Sequence, residues 1–222
     1  MNRRTVVLGM AALSMLKPSG YRKPRDLAVQ LWTVDQAMSH DPTRALANLS
    51  ELGFTGVETA GLKGLTAAVF QTALDTAGLS CRACHASLAE LRERGSAIIE
   101  DAARLSATHV VCSSPAPSVA LDPALPWERA MDLAMSDADW HQTAIDLNRI
   151  GDLAARSDLR LAYHNHDFDI RQRNGTRPLL ALAEATDPDL VDIELDVGWT
   201  HAAGMDPIQM IERLKSRIRL VH

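Results

Sequence analysis

The chain has 222 residues, 46% hydrophobic and 23% charged, which is enough apolar mass for one sizeable core and an ordinary charge load for a globular domain. A formal charge of −5 and a pI near 5.9 argue against the basic face that nucleic-acid binding needs. No apolar run reaches the roughly 18 residues of a membrane span, and no acidic or basic tail stands out.

The N-terminus reads separately from the rest. Arg3 and Arg4 precede a short apolar stretch at residues 6–16, followed by Lys17-Pro18-Ser19-Gly20. A basic start before a short apolar core is the layout of an export signal, and the paired arginines resemble the twin-arginine type. Residues 1–24 are therefore expected to direct export, periplasmic in a bacterium. The alternative is an unprocessed leader on a cytoplasmic protein. Residues 25–222 carry the fold.

From Leu27 onward, short apolar strands alternate with stretches of helical period. The first strand is expected at 27–32. Asp41-Pro42 then opens a helix as N-cap and first-turn proline, Leu46, Leu49 and Leu52 keep its spacing, and Gly53 stops it. Strands follow at 56–59, 79–88 and 108–112, separated by helical stretches at 65–77 and through Ile98, Ile99 and Ala103. A proline-containing loop at 113–126 leads into one long helical pattern at 127–157. Strands at 159–166, 191–199 and 218–222 alternate with helices at 179–185 and 207–214.

Seven βα-type units of roughly 25–30 residues predict an α/β fold, an incomplete (β/α)8 TIM-type barrel with parallel strands. No Gly-x-Gly-x-x-Gly follows the first strand, which weakens a dinucleotide-binding alternative. A complete barrel needs an eighth strand, so the chain reads as a fragment.

Strand side chains alternate faces with period two. Ala162, His164 and His166 are thus expected on one face, Glu194 with Asp196 on one face, and Ile218, Leu220 and His222 likewise. In neighbouring parallel strands, His164, Asp196 and His222 would meet at one rim. Buried charge without a partner or a metal is costly, so that convergence calls for a function, the alternative being polar groups satisfied within the core. Mixed imidazole and carboxylate donors suit one divalent metal, Mn or Zn before Ca. His166, His164 if it is not a ligand, or Glu58 is expected to move a proton, with a salt bridge inside the barrel as the alternative for Glu58. His85 and Trp199 are expected to touch substrate or else to pack core and loop, and Glu194, one layer deeper than Asp196, to orient a ligand.

Cys81-Arg82-Ala83-Cys84-His85 fits the haem-attachment spacing C-x-x-C-H, but it lies in a strand where the two thiols should face opposite sides. The three cysteines, Cys112 included, read as small buried hydrophobes.

Three segments resemble the sugar phosphate isomerase/epimerase family of xylose isomerase-like barrels. These are residues 163–168 (Tyr-His-Asn-His-Asp-Phe), 194–199 (Glu-Leu-Asp-Val-Gly-Trp) and 217–222 (Arg-Ile-Arg-Leu-Val-His). Residues 52–58 and 147–151 resemble that family more weakly. The resemblance implies a divalent metal held at the C-terminal mouth, with Asp196 and His222 in the aspartate and histidine ligand positions and His164 where the family has a glutamate. It implies a carbohydrate isomerase or epimerase that removes a proton beside a carbonyl, with a small-molecule sugar as partner and a homo-oligomer as a further expectation. A lyase or hydrolase of 3-keto-glycosides on the same barrel is the alternative. A non-catalytic carbohydrate-binding barrel is another, and cleavage of abasic DNA is disfavoured by the acidic balance.

Overall fold

The computed structural model describes residues 27–222, and the leader read at residues 1–24 lies outside them. Seven strands form one parallel sheet: β1 (Ala28–Gln30), β2 (Gly56–Ala60), β3 (Ser80–Ala86), β4 (His109–Cys112), β5 (Arg160–His164), β6 (Val191–Leu195) and β7 (Ile218–Val221). Strands neighbour one another in chain order, and the sheet curls into a half-barrel with the helices packed outside. The architecture is an incomplete (β/α) TIM barrel, as the alternation of strand and helix patterns predicts.

The helices are α1 (Asp35–His40), α2 (Pro42–Glu51), α3 (Ala67–Ala77), α4 (Leu88–Arg104), α5 (Trp127–Ala134), α6 (Asp137–Ala155), α7 (Asp167–Ile170), α8 (Pro178–Ala185), α9 (Val197–Ala202) and α10 (Pro207–Leu214). Local chemistry sets their ends. Asp41 accepts the Arg44 N–H at 3.0 Å ahead of Pro42, and Gly78 ends α3 in the left-handed region at φ 68°. Ser87 and Glu90 cap α4 reciprocally. The long helical pattern at 127–157 is two helices, because Ser136 and Asp139 form a second capping box and Met135 turns extended. No helix of the described residues is long and apolar enough to cross a membrane.

Two expected strands stop early, and both stops matter for the site. β5 ends at His164, and His166 is already the N-cap of α7. β6 ends at Leu195, and Asp196 caps α9, so Trp199 sits in that helix instead of on a strand.

Side chains pointing outward from the strands join the helices in one large core, with Val57, Val110, Leu161, Tyr163, Ile193 and Leu195 all within 1% of full burial. The inward side chains form layers. Asp192, Arg160 and His109 make a polar layer near the strand starts. Ala83, Val111 and Ala162, with Leu220 against them, make an apolar layer above it. Glu58, His85, His164, Glu194 and His222 make a second polar layer at the C-terminal rim.

Two bulges correct the period-two expectation. Val57 pairs with Cys81 but Glu58 with Ala83, so Arg82 is an extra residue in β3. The residues after it change face: Ala83 faces inward, while Cys81 and Cys84 both join the outer core. His85 therefore shares a face with Ala83 but not with Cys81. Arg219 plays the same part in β7, where Ile193 pairs with Ile218 and Glu194 with Leu220. Ile218 packs outward and Leu220 inward, so the two do not share the face that strict alternation assigns them.

Candidate active site

β2, β3, β5, β6 and β7 deliver Glu58, His85, His164, Glu194 and His222 to one cluster at the rim. Glu194 is its centre. His164 donates from Nδ1 to Glu194 Oε2 at 3.1 Å, and His85 Nε2 lies 3.2 Å from the same oxygen. His85 Nε2 also bonds Glu58 Oε2 at 3.2 Å, and His222 Nδ1 stands 3.9 Å from that atom. The rings of His164 and His222 are 4.9 Å apart between centroids.

The electrostatics follow from this packing. Burial alone would lower the His85 pKa, but hydrogen bonds to Glu194 and Glu58 outweigh it and hold it at about 9. Burial alone would raise the Glu194 carboxyl, yet the bonds from His164 and His85 keep it well below the usual carboxylate range. His222 is raised by Glu58, against the lowering effect of its burial. His166 goes the other way: burial and the neighbouring imidazoles of His164, His222 and His85 press it down to about 3.

His164, Glu194 and His222 bring donor atoms within 4.8 Å of one another, a spacing a single cation can bridge. Glu194 is only 1% exposed, and its Oε1 has no hydrogen-bond partner. A buried, ionised carboxylate oxygen left unpaired is costly, and a divalent cation satisfies it. The two imidazoles and the carboxylate thus fit a borderline metal ion. With Nδ1 committed to Glu194, His164 has Nε2 left to coordinate. Glu58, His85 and Glu194 form a second group of the same size, but there the one His85 nitrogen that faces both carboxylates is already hydrogen-bonded to them.

Each residue expected from the sequence has a definite place. His164 and His222 are brought together as expected. Asp196 lies beside them, but its Oδ1 caps α9 by accepting the Trp199 N–H at 2.7 Å, and its Oδ2 is 4.0 Å from His164 Nε2. Glu194, read from the sequence as an orienter only, takes the place beside the two histidines. Glu58 and His85 are hydrogen-bonded partners. The His166 ring is 5.0 Å from that of His164, with its Nδ1 buried and unpartnered. Trp199 stands half-buried, 5.9 Å from His166.

Trp127 is the site residue that sequence reading missed. It follows the long loop at 113–126, and its ring lies 4.8 Å from His166, edge to face. The only hint in the sequence is an aromatic residue directly after Pro126 in a chain with few aromatics. The haem spacing at Cys81 is excluded, since both thiols are buried under the helices while His85 points into the barrel.

The profile of xylose isomerase-like TIM barrels matches residues 46–222. The chain belongs to that family. A sugar phosphate isomerase/epimerase from Parabacteroides distasonis superposes with a TM-score of 0.71 at 20% identity, covering 92% of this chain and 76% of that one. A xylose isomerase-like TIM barrel protein from Mycobacterium smegmatis, solved in complex with magnesium, gives 0.62 at 18% identity, with 89% and 74% covered. In sequence, an inosose dehydratase of Lacticaseibacillus casei is 32% identical over 87 residues. That match takes in 39% of this chain and 28% of the length of the dehydratase.

Proposed function

We propose that this protein is a metal-dependent carbohydrate isomerase or epimerase that works by removing the proton beside a sugar carbonyl. One observation carries the reading: five acid, base and ligand side chains from five strands, with Glu194 at their centre, meet at the rim where βα loops admit substrate. His164, Glu194 and His222 would hold the ion, with Asp196 adjacent, and the imidazoles favour Mn or Zn over magnesium. When bound, a divalent ion there polarises the carbonyl and hydroxyl oxygens and lowers the cost of the negative charge that builds on them.

The protein's own groups divide the remaining work. Glu58, held in place by His85, takes the proton from the carbon beside the carbonyl and, in an isomerisation, delivers it to the former carbonyl carbon. His166 is neutral at physiological pH, so it acts best as a hydrogen-bond donor to a sugar oxygen. Trp127 and Trp199 flank His166 and offer aromatic faces to the apolar side of the sugar.

The inosose dehydratase similarity favours a second reading, a lyase. It begins with the same proton removal and continues with loss of a hydroxyl as water from the next carbon. Proton NMR in D2O, with Mn- or Zn-loaded protein and a panel of ketoses, inososes and 3-keto-glycosides, separates the two. Deuterium next to the carbonyl with an isomer or epimer formed supports the isomerase, and stoichiometric loss of water supports the lyase. No exchange with any compound, with Glu58→Gln indistinguishable from the parent, would leave a non-catalytic binding barrel.

A further inference from the structure

Cys81 and Cys84 sit on the opposite side of β3 from the site. Strict alternation would separate their thiols across the sheet, yet Sγ of Cys81 lies 3.8 Å from Sγ of Cys84. The bulge at Arg82 causes this by inserting one residue between them without a matching residue in β2. Cys112 is apart from the pair, its thiol directed to the Ser114 carbonyl at 3.4 Å.

We propose that Cys81 and Cys84 are a disulfide-forming pair, closed by a small disulfide oxidant, that staples the β3 bulge. The sulfurs stand at 3.8 Å and must close to the roughly 2.05 Å of a bond. The two thiols differ in character. Their mutual contact, together with burial, pushes the Cys81 thiol up, while the same contact holds the Cys84 thiol below its ordinary range. First attack by Cys84 or by Cys81 gives the same disulfide.

With oxidised glutathione, the Cys84 thiolate attacks one glutathione sulfur. The glutathione disulfide breaks, and one glutathione leaves, taking up the proton lost from Cys84. The Cys81 thiolate then attacks the Cys84 sulfur of the mixed disulfide and releases the second glutathione, which carries the Cys81 proton. Two protein thiols are oxidised by two electrons, and one glutathione disulfide is reduced to two thiols.

The link has a consequence for the rim. The bulge is what turns Ala83 and His85 inward, so a covalent bridge across it holds the strand conformation that presents His85 to Glu58 and Glu194. Cys81 and Cys84 are only 4% and 6% exposed, so oxidant reaches them by local opening of β3 or during folding.

Arg82 makes the experiment direct, because trypsin cuts between the two cysteines. The full chain, purified reduced, is incubated with oxidised glutathione both as folded protein and during refolding, then alkylated and digested without reductant. The expected result is peptide 64–82 joined to peptide 83–92, and their separation after dithiothreitol. The same joined species is expected in Cys112→Ser and is lost in Cys84→Ser and Cys81→Ser. Free, alkylated Cys81 and Cys84 after both treatments would overturn the proposal. So would a link from either one to Cys112, or a cross-link found only in unfolded protein.

Discussion

Glu194 and His164 share a 3.1 Å hydrogen bond through Oε2 and Nδ1, while the other oxygen of Glu194 is buried without a partner. This one pairing fixes the tautomer of His164, leaves Nε2 to face Asp196, and leaves a carboxylate oxygen in need of a cation. Glu194→Gln should therefore lower affinity for Mn or Zn by about 10- to 100-fold, read by calorimetric titration of the folded protein. Unchanged affinity would place the ion elsewhere.

Trp127 covers His166, whose pKa near 3 comes first from burial. Trp127→Ala should move the His166 titration toward its ordinary value, followed by NMR of the imidazole protons. Once a substrate is known, KM should rise about 2- to 10-fold with little change in kcat, as expected for loss of a ring contact. A fall in kcat alone would mean that Trp127 acts on the chemistry and not on binding.

At the other end of the barrel, Asp192 is buried between Arg160 and His109. Burial would raise its pKa, but the hydrogen bonds from His109 and Arg160 bring it down to about 2. A depressed carboxyl stabilises the fold above its unfolded value of about 3.9, and that stability is lost as pH falls toward about 2. Asp192→Asn should cost on the order of 2 kcal/mol at pH 7, and the gap to the parent in urea midpoints should narrow between pH 4 and pH 3. A gap independent of pH would show that the loss is one of packing.

Gly151 in α6 lies against the loop before β6, where a Cβ would stand 2.9 Å from the Leu190 carbonyl oxygen and 3.0 Å from its Cβ. Nearby, Asn148 accepts the Asp187 N–H at 2.7 Å and donates to the Ala185 carbonyl at 3.2 Å, holding helix and loop together. Alanine ordinarily improves a helix by up to about 1 kcal/mol over glycine. Here the clash with backbone should reverse the sign, and Gly151→Ala should destabilise by about 1–2 kcal/mol in thermal unfolding. A raised Tm would show that the helix can shift away.

Much of this was legible along the chain. Runs of apolar residues at strand and helix period, with Asp41-Pro42 and Gly78 as punctuation, determined seven βα units and hence a parallel sheet. Alternation within β5 and β6 placed His164 and Glu194 inward and Tyr163 and Leu195 outward, because successive strand side chains take opposite faces. The motif residues also pointed to the right family.

Only the tertiary structure decided which of these groups meet. An extra residue in one strand of a pair leaves no mark in a single sequence, so the bulges at Arg82 and Arg219 were invisible, and with them the meeting of Cys81 with Cys84. A helix cap competes with a strand end for the same aspartate, and Asp196 went to the cap while Glu194 took the centre of the cluster. Trp127 reached His166 across a loop whose course no periodicity records. Local pattern sets the type and direction of each element, because it depends on neighbours along the chain. The partners of a side chain depend on register between strands distant in sequence, and that is settled only when the sheet closes around them.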